Sequence, residues 1–401
     1  MSQDRAPSRG LIIFMALACG LTVANLYYAQ PLAGPISQAL GMGRAATGLV
    51  VTLTQIGYGL GLVFVVPLGD LVENRRLIAI TALCGAAALA LAGMSPSAGP
   101  FLGAMFLVGL GSVAAQMLVP VAAHLAPAAA RGRVVGDVMS GLITGILLSR
   151  PAASLLADHF GWRAVFFISA AAMLVLAAAM VRILPRRDPD ADHSYLELIA
   201  SMKALLVETP ILRRRAFYQA CMFGAFSLFW TTAPLILAGP TYHLSQTQIA
   251  LFALAGATGA LIAPVAGRMA DRGWTRPATG VAFLAAALCF VLCWIGRGGG
   301  LGLWALVGAG LLLDLGVQTS QVLGQREIYS LAAHARSRLN GLYVALFFIG
   351  GAIGSGVGGA VYAWVGWGGV VALGFLFCVM ALALYVTEFT GRAPQPATDV
   401  A

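Results

Sequence analysis

Two charged residues lie deep within apolar stretches of this 401-residue sequence that are long enough to cross a bilayer. A carboxylate such as that of Asp314 is costly in lipid unless it is paired, hydrated or protonated, and such groups usually face an aqueous pathway. Asp314 is therefore a candidate proton or substrate site; alternatively, it ties two helices together through hydroxyl groups or an arginine. Arg150 stays protonated at physiological pH, so it can hold an anion or neutralise Asp314 but cannot carry the proton. Arg150 also lies toward one end of its stretch, from which its side chain can instead extend to the membrane surface.

Polar side chains recur at helical spacing beside these charges. Gln318, Gln321 and Gln325 follow Asp314 at positions i+4, i+7 and i+11, which gives one helix three turns of polar surface that lipid would not solvate. We interpret this stripe as the wall of a water-filled cavity. Other apolar stretches carry similarly spaced polar or aromatic residues: Thr22, Asn25, Tyr27, Tyr28, Ser112, Gln116, Ser227, Phe229, Trp230 and Thr231. Taken singly, each hydroxyl or amide equally fits an interhelical hydrogen bond of about 0.6–2 kcal/mol.

The sequence contains no residue pattern that indicates catalysis, a cofactor or a metal. Gly109-Leu110-Gly111 lies inside an apolar stretch with no preceding strand, which excludes a nucleotide-binding loop. All six cysteines lie in apolar runs, and the five histidines are scattered along the chain, so we expect the cysteines to pack as small apolar residues. We therefore predict that the protein is not an enzyme and uses neither a cofactor nor a metal ion.

The composition places most of the chain in lipid. Hydrophobic residues make up 60% of it and charged residues 10%, where soluble domains have about 25% charged residues. This excludes a soluble enzyme, a disordered chain and a secreted disulfide scaffold. A net charge of +9 would suggest nucleic-acid binding in a soluble protein. Here we attribute it to basic cytoplasmic loops and predict no nucleic-acid partner.

Twelve apolar stretches are long enough to span a membrane as helices, which satisfy their own backbone groups in lipid. They fall at residues 11–32, 46–68, 77–95, 100–126, 135–157, 164–184, 216–238, 248–269, 278–296, 301–325, 339–363 and 369–389. The charged connection 186–215 contains a segment, 195–206, with the apolar spacing of a helix that lies on the membrane surface. The sequence thus predicts an all-α membrane protein with twelve transmembrane helices.

The basic residues predict how these helices are oriented. With the N-terminus inside, 20 of the 24 Lys and Arg residues fall in cytoplasmic segments and only Arg44, Arg163 and Arg297 fall in external loops. Cytoplasmic loops are the ones enriched in basic residues, so both termini are expected in the cytoplasm. We expect a monomeric, multi-pass protein of a bacterial inner membrane.

The two halves of the sequence repeat one another at an offset of 205 residues. The matching residues are Arg131, Arg133, Gly136, Gly145, Gly161 and Trp162 in the first half and Arg336, Arg338, Gly341, Gly350, Gly366 and Trp367 in the second. Two six-helix units inserted in the same direction form a parallel repeat about an axis along the membrane normal. The predicted units are residues 1–185 and 216–401, joined by the cytoplasmic connection 186–215.

Two loops and the first span carry the motifs of a known family. The loops read Gly69-Asp70-Leu71-Val72-Glu73-Asn74-Arg75-Arg76 and Gly267-Arg268-Met269-Ala270-Asp271-Arg272-Gly273, and the span contains Asn25-Leu26-Tyr27-Tyr28-Ala29-Gln30-Pro31. In these residues the chain resembles the major facilitator superfamily of transporters, and in the first span its bacterial drug:proton antiporter branch. Met105 and Ile146 depart from that branch, since they occupy the places of a fourth-span arginine and a fifth-span proline.

The resemblance implies a secondary transporter for a small molecule, with spans one, four, seven and ten lining the cavity. The function expected first is proton-coupled export of a small organic solute or drug. The alternatives are a proton-coupled importer of a small anionic metabolite and a receptor or sensor that kept the fold without transport. The cavity candidates are Asn25, Tyr28, Gln116, Arg150, Trp230, Thr231, Asp314, Gln318 and Gln321. Asp314 is the candidate for proton coupling, unless tight pairing with Arg150 leaves that role to Asp137.

The cytoplasmic loops supply candidate gating residues. The resemblance places Asp70 near Asn340, at the start of the eleventh span, and Asp271 near Gly136, at the start of the fifth. A carboxylate at a helix N-terminus gains roughly 0.3–1 kcal/mol, and these contacts can form only while the cytoplasmic side is closed. The basic candidates for the same gate are Arg75, Arg76, Arg131, Arg133, Arg272, Arg336 and Arg338.

Overall fold

A computed structural model describes residues 7–127, 130–186, 194–256, 262–295, 297–298, 300–331 and 336–390. Every regular element in these residues is a helix. The N-terminal bundle consists of α1 (Arg9–Ala24), α2 (Ala29–Ala39), α3 (Leu49–Phe64), α4 (Asn74–Met94), α5 (Ala98–Gly111), α6 (Ala114–Leu125), α7 (Arg131–Phe160) and α8 (Trp162–Ile183). The C-terminal bundle, after the connecting helix α9 (Tyr195–Glu208), consists of α10 (Pro210–Ala238), α11 (Gln246–Gly256), α12 (Ala263–Asp271), α13 (Thr275–Ile295), α14 (Gly300–Tyr329), α15 (Arg336–Val365) and α16 (Trp367–Thr390).

The number and length of the helices confirm the predicted fold class. Eleven helical segments in the described residues are long and apolar enough to cross a membrane. The remaining predicted span, 248–269, corresponds to α11 and α12, and the residues between them, 257–261, lie outside the described part of the chain. Most spans extend a few residues beyond their predicted bounds because the helices continue into the polar interface.

The first and fourth spans are each interrupted near the middle, where the sequence predicts one continuous helix. The first span breaks at residues 25–28, between α1 and α2, and the fourth at residues 112–113, between α5 and α6. In the first break, the amides of Leu26 and Tyr27 bond to carbonyls three residues back, at 3.1 and 3.0 Å. Irregular backbone at membrane depth is tolerated where protein surrounds it, and both residues are buried.

The repeated Gly-Trp pairs form the same turn in both bundles. Gly161 and Gly366 have φ angles of 80° and 79°, a conformation that residues with a Cβ rarely adopt. Each glycine ends a long helix and lets the next begin at the tryptophan. Trp162 packs edge-to-face against Phe101, and Trp367 donates a 3.0 Å hydrogen bond to the Cys293 carbonyl.

Glycines allow close helix contacts within each bundle. In the N-terminal bundle Gly145 on α7 lies against Gly20 on α1, and in the C-terminal bundle Gly354 on α15 lies against Gly224 on α10. A Cβ at Gly20, Gly145 or Gly354 would overlap the backbone of the partner helix, and one at Gly224 would lie 3.0 Å from the Gly350 carbonyl oxygen. Between the bundles, Gly359 of α15 lies against Gly48.

The connecting helix α9 confirms the helix predicted at 195–206 and extends it to Glu208. It begins with a reciprocal cap in which Ser194 and Glu197 each bond to the backbone of the other. Leu198 and Met202 are buried. The Tyr195 hydroxyl donates to the carbonyl of Phe64 at 2.9 Å, and Arg338 donates to the hydroxyl of Ser201 at 2.8 Å. The helix therefore contacts both bundles.

The contacts between the two bundles differ at the two ends of the molecule. We call the end where α1 begins and α16 ends the terminus-bearing end. At the opposite end, Gly48 lies against the backbone of Ser355, and Thr247 of α11 donates a hydrogen bond to Asp158 of α7. Toward the terminus-bearing end α12 packs on α13 and α14, and Gly136 of α7 is exposed.

Candidate functional site

Arg150 and Asp314 lie together in the middle of the protein, although they belong to different bundles. Arg150 on α7 is 2% exposed and Asp314 on α14 is 3% exposed. The distance from Arg150 Nη1 to Asp314 Oδ2 is 4.0 Å, at the outer limit of an ion pair. Arg150 therefore faces the interior, which excludes the alternative that its side chain extends to the membrane surface.

Each charged side chain has a second, closer polar partner. The indole Nε1 of Trp230, on α10, donates to Asp314 Oδ1 at 2.9 Å. Arg150 Nε donates to Gln30 Oε1, on α2, at 3.0 Å. Each bundle thus holds its own charge with a neutral group, and the longer contact between the charges joins the bundles.

Aromatic rings surround the guanidinium group of Arg150. Its Cζ atom lies 4.3 Å from the ring centroid of Trp230, 4.9 Å from that of Phe226 and 5.6 Å from that of Tyr27. All three distances are within the range in which a cation is attracted to the face of a π system. Residues of both bundles therefore stabilise a charge that the apolar interior would otherwise disfavour.

Several buried polar atoms beside this cluster have no protein partner. Among the described residues these atoms include Nδ2 of Asn25, Nε2 of Gln30 and Oγ1 of Thr231. Asn25 lies in the interruption of the first span, Gln30 lies just after it, and Thr231 follows Trp230. Buried polar groups in native proteins are almost always hydrogen-bonded, so these atoms are candidate contacts for a polar ligand or water.

The glutamine stripe extends from the charge pair toward the terminus-bearing end. Gln318, Gln321 and Gln325 are all partly exposed, as is Gln116 on α6, whereas Asp314 is buried. Gln325 also donates to the Asn340 side chain at 3.3 Å. The arrangement gives a polar wall that starts at an accessible surface and ends at the buried pair.

Other predicted cavity residues have local partners. Ser169 donates to Asn25 Oδ1 at 2.6 Å, Ser112 donates to the Val108 carbonyl at 2.7 Å, and Thr22 contacts the Met173 sulfur. A contact within the protein therefore accounts for the polar groups of Ser112 and Thr22. It accounts for the side-chain oxygen of Asn25 but not for its amide hydrogens. Tyr28 is partly exposed near the interrupted segment.

Sequence patterns do not single out two features of the site. Gln30 and Phe226 contact Arg150 directly, yet only their neighbours were candidates. A second polar cluster also crosses the bundles, because Gln55 of α3 bonds to Ser227 of α10 and to Ser355 of α15. Gln55 is a lone amide in an apolar run, and this isolation is the sequence signal that could have identified it as a buried polar contact.

No hydrogen bond or ion pair recorded for the predicted gating residues in the described part of the chain joins the two bundles, although Asp70 and Arg338 line the same small cavity. Asp271 pairs with Arg326 of its own bundle, and Glu73 binds both Arg75 and Arg76, at 3.3 and 2.9 Å. Arg338 binds Ser201 of α9, and the side chain of Arg336 lies outside the described part. The exposed gating candidates are Asp70, Arg131, Arg133 and Arg272. The latch contacts proposed for a closed cytoplasmic side are not tested by these contacts, so the latch stays a prediction.

Two bundles of membrane-spanning helices that meet at a buried charge pair define a secondary transporter. The sequence profile of the Major Facilitator Superfamily matches residues 12–329 and, in a second match, residues 216–400. The chain belongs to this family, which confirms the resemblance found in its motifs. It is therefore a multi-pass membrane transporter for a small molecule and not an enzyme.

Individual relatives agree with this assignment. The chain is 40% identical over 382 residues to the uncharacterized transporter YgaY of Escherichia coli O157:H7, covering 95% of this chain and 96% of that protein. It is 28% identical over 272 residues to the multidrug resistance protein MdtG of Salmonella paratyphi A, covering 64% and 65%. The crystal structure of the nucleoside transporter NupG superposes with a TM-score of 0.74 at 15% identity, covering 95% of this chain and 99% of NupG, which shows the shared fold.

Proposed function

We propose that the protein exports a small organic solute or drug in exchange for protons. The observation that carries the proposal is the contact between Arg150 and Asp314, because it joins the two bundles at the only place where an acid lies deep in a predicted span. A proton that binds Asp314 removes the negative charge from this contact. The same site can thus link protonation to the relative position of the bundles.

The movement we propose is alternating access by rocking of residues 1–185 against residues 216–391. In the conformation described, the end opposite the termini is packed through Gly48 and Asp158, while the glutamine stripe reaches the terminus-bearing end. With both termini in the cytoplasm, as the basic residues predict, this conformation faces inward. The location is then a bacterial inner membrane.

The coupling scheme follows from the partners of the two charges. While Asp314 is ionised, Arg150 attracts it and favours the contact between bundles. Protonation leaves Arg150 with Gln30 and the aromatic rings, so the contact weakens and the bundles can separate. A 4.0 Å separation is longer than a close, hydrogen-bonded ion pair, which leaves Asp314 available as the proton carrier in preference to Asp137.

The chemistry of the site supports an amphipathic solute. Trp230, Phe226 and Tyr27 provide apolar ring surface, and Asn25, Gln30 and Thr231 provide polar atoms without protein partners. Pockets that bind organic molecules combine apolar walls with a few placed polar groups. Similarity to a multidrug resistance protein supports the direction of export. Import of an anion would need a free cation, whereas Arg150 is already engaged by Gln30 and Asp314.

Everted membrane vesicles test the proposal. In vesicles acidified by respiration and loaded with acridine orange, addition of a transported solute from a panel of amphipathic drugs should release the quenched dye. Asp314→Asn should abolish this proton release but leave solute exchange without a gradient intact, whereas Asp137→Asn should retain it. If Asp314→Asn still concentrates solute at the wild-type rate in proteoliposomes with an imposed pH gradient, Asp314 is a structural residue and the coupling scheme is wrong.

A further inference from the structure

We propose that a groove between the bundles binds one acyl chain of an anionic phospholipid. The groove lies between α3 and α15, has a volume of about 620 Å³ and is lined by 19 residues, which include Leu60, Ile349 and Ile353. It is separate from the transport site around Asp314, because none of the residues that surround Arg150 lines it.

The walls of the groove are apolar and open toward the bilayer. Leu60 is 40% exposed, Ile349 55% and Ile353 51%, and their helices cross the membrane. Lipid chains are as apolar as these side chains, so a chain in the groove is held by van der Waals packing against both walls. The uncharged polar side chains that touch the groove, Thr52 and Gln55, are buried and bonded to Ser355, so they do not need a polar ligand.

The connecting helix α9 closes the groove toward the terminus-bearing end. Its residues Ile199, Met202 and Leu206 form this floor, and Tyr195 fixes the helix to the end of α3. A lipid whose head group lies at the level of α9 would therefore extend its chain away from the terminus-bearing end, between α3 and α15. The orientation matches a lipid of the leaflet next to the terminus-bearing end.

Charge complementarity selects an anionic head group. Lys203 on α9 is exposed, and it is the charged residue among those lining the groove in the described part of the chain. It is also the single lysine of the sequence, beside 23 arginines. An ammonium group binds phosphate as a compact point charge, and a basic residue near the membrane surface attracts anionic lipid.

The site spans a seam that must change during transport, since α3 and α15 belong to different bundles. A chain wedged between Leu60 and Ile349 would favour the conformation in which the groove exists. Anionic lipid would thus act on the conformational equilibrium in proportion to its preference for this conformation.

Photo-crosslinking of the full-length protein tests the site. The protein is reconstituted in phosphatidylcholine vesicles with a trace of phosphatidylglycerol or phosphatidylcholine that carries a diazirine in its acyl chain, and adducts are mapped by mass spectrometry. We expect adducts on the residues of α3 and α15 that line the groove, with about fivefold more from phosphatidylglycerol. Lys203→Met should remove this head-group preference, whereas Arg182→Met, an exposed arginine at the same end of the bundle, should retain it.

A groove-filling variant distinguishes the groove from general lipid contact. Ile349→Trp should reduce adducts on α3 and α15 several-fold, whereas Ile80→Trp, at a lipid-facing isoleucine of similar exposure, 59%, should leave them unchanged. Adducts spread evenly over other membrane faces, or equal yields from both lipids, would refute the site. Displacement of the lipid by a transported solute would identify the groove as a lateral path for that solute and overturn the lipid assignment. If native mass spectrometry finds a dimer whose interface protects the groove, a second copy is the occupant instead.

Discussion

Trp230 contacts both members of the buried charge pair. Its indole Nε1 donates to Asp314 at 2.9 Å, and its ring centroid lies 4.3 Å from the guanidinium carbon of Arg150. One side chain thus stabilises a negative charge through its edge and a positive charge through its face. A movement of α10 relative to α7 changes the contact with Arg150, whereas the hydrogen bond to Asp314 on α14 stays within one bundle.

We expect Trp230→Phe to impair coupling more than binding. Phenylalanine keeps an aromatic face for Arg150 but cannot donate to Asp314, and a hydrogen bond to a charged group contributes about 1.5–3 kcal/mol. Gradient-driven flux in proteoliposomes should fall by about tenfold or more. Trp294→Phe is the matched control, since Trp294 is 54% exposed on the outer surface, and a similar loss there would contradict the assignment.

Removal of one residue of the charge pair should destabilise the fold more than replacement of both by apolar residues. Removing one partner of a buried ion pair costs about 3–5 kcal/mol because it leaves the other charge unpaired, whereas an apolar replacement of both is often neutral. We therefore expect Arg150→Met and Asp314→Leu each to lower the free energy of unfolding, and the double variant to recover most of it. Denaturant unfolding in detergent micelles measures these changes. All three variants should lack coupled transport, and additive destabilisation would show that the two residues do not interact.

Asp70→Asn should shift the protein further toward the conformation described. A helix N-terminus gains roughly 0.3–1 kcal/mol from a carboxylate, so loss of the latch should raise the labelling rate of a cysteine at Gly136 by about two- to fivefold. The reporter is Gly136→Cys in a Cys84→Ser background, labelled by an impermeant maleimide. Asp158→Asn, at the opposite end, serves as the control and should not raise labelling. An unchanged labelling rate in the Asp70 variant at normal expression would refute the hypothesis that Asp70 acts as a latch.

Close helix packing predicts that Gly145→Ala impairs folding. A Cβ at Gly145 would overlap the backbone of Gly20, and overpacking typically costs 1–3 kcal/mol. The expected result is less protein in the monodisperse peak of fluorescence-detected chromatography and a lower melting temperature. Gly136→Ala, on the same helix with no atom within 4 Å of a new Cβ, should behave like the wild type. Equal stability of the two variants would show that α1 and α7 can separate without loss.

The charges of the site could be identified from sequence, but their partners could not. Asp314 and Arg150 are conspicuous because lipid excludes isolated charges, and the glutamines that follow Asp314 keep helical spacing over three turns. Gln30 escapes this reasoning because the helix is interrupted at 25–28, so its direction no longer follows from the residues before it. Local hydrogen bonds are equally hidden, since a sequence does not show that Ser112 is satisfied by a carbonyl one turn away.

The sequence repeat predicts the shared turns of the two bundles but not the position of the charge pair. Gly161 and Gly366 form the same turn because both bundles need a residue with a positive φ there, and the shared offset is sufficient to find them. The charges break the repeat, since Arg150 belongs to one bundle and Asp314 to the other. The charge pair between the bundles therefore lies at positions where the two halves of the sequence differ.

The attachments of α9 set a mechanical limit on opening. Tyr195 is anchored on the end of α3 and Ser201 is held by Arg338 of α15, six residues apart on a stiff helix, a span of about 9 Å. The two bundles are thus joined by a short helix at the end that opens in the proposed movement. If α3 and α15 separate by more than this distance, one of the two hydrogen bonds must break. The connecting helix therefore limits how far the bundles can move apart.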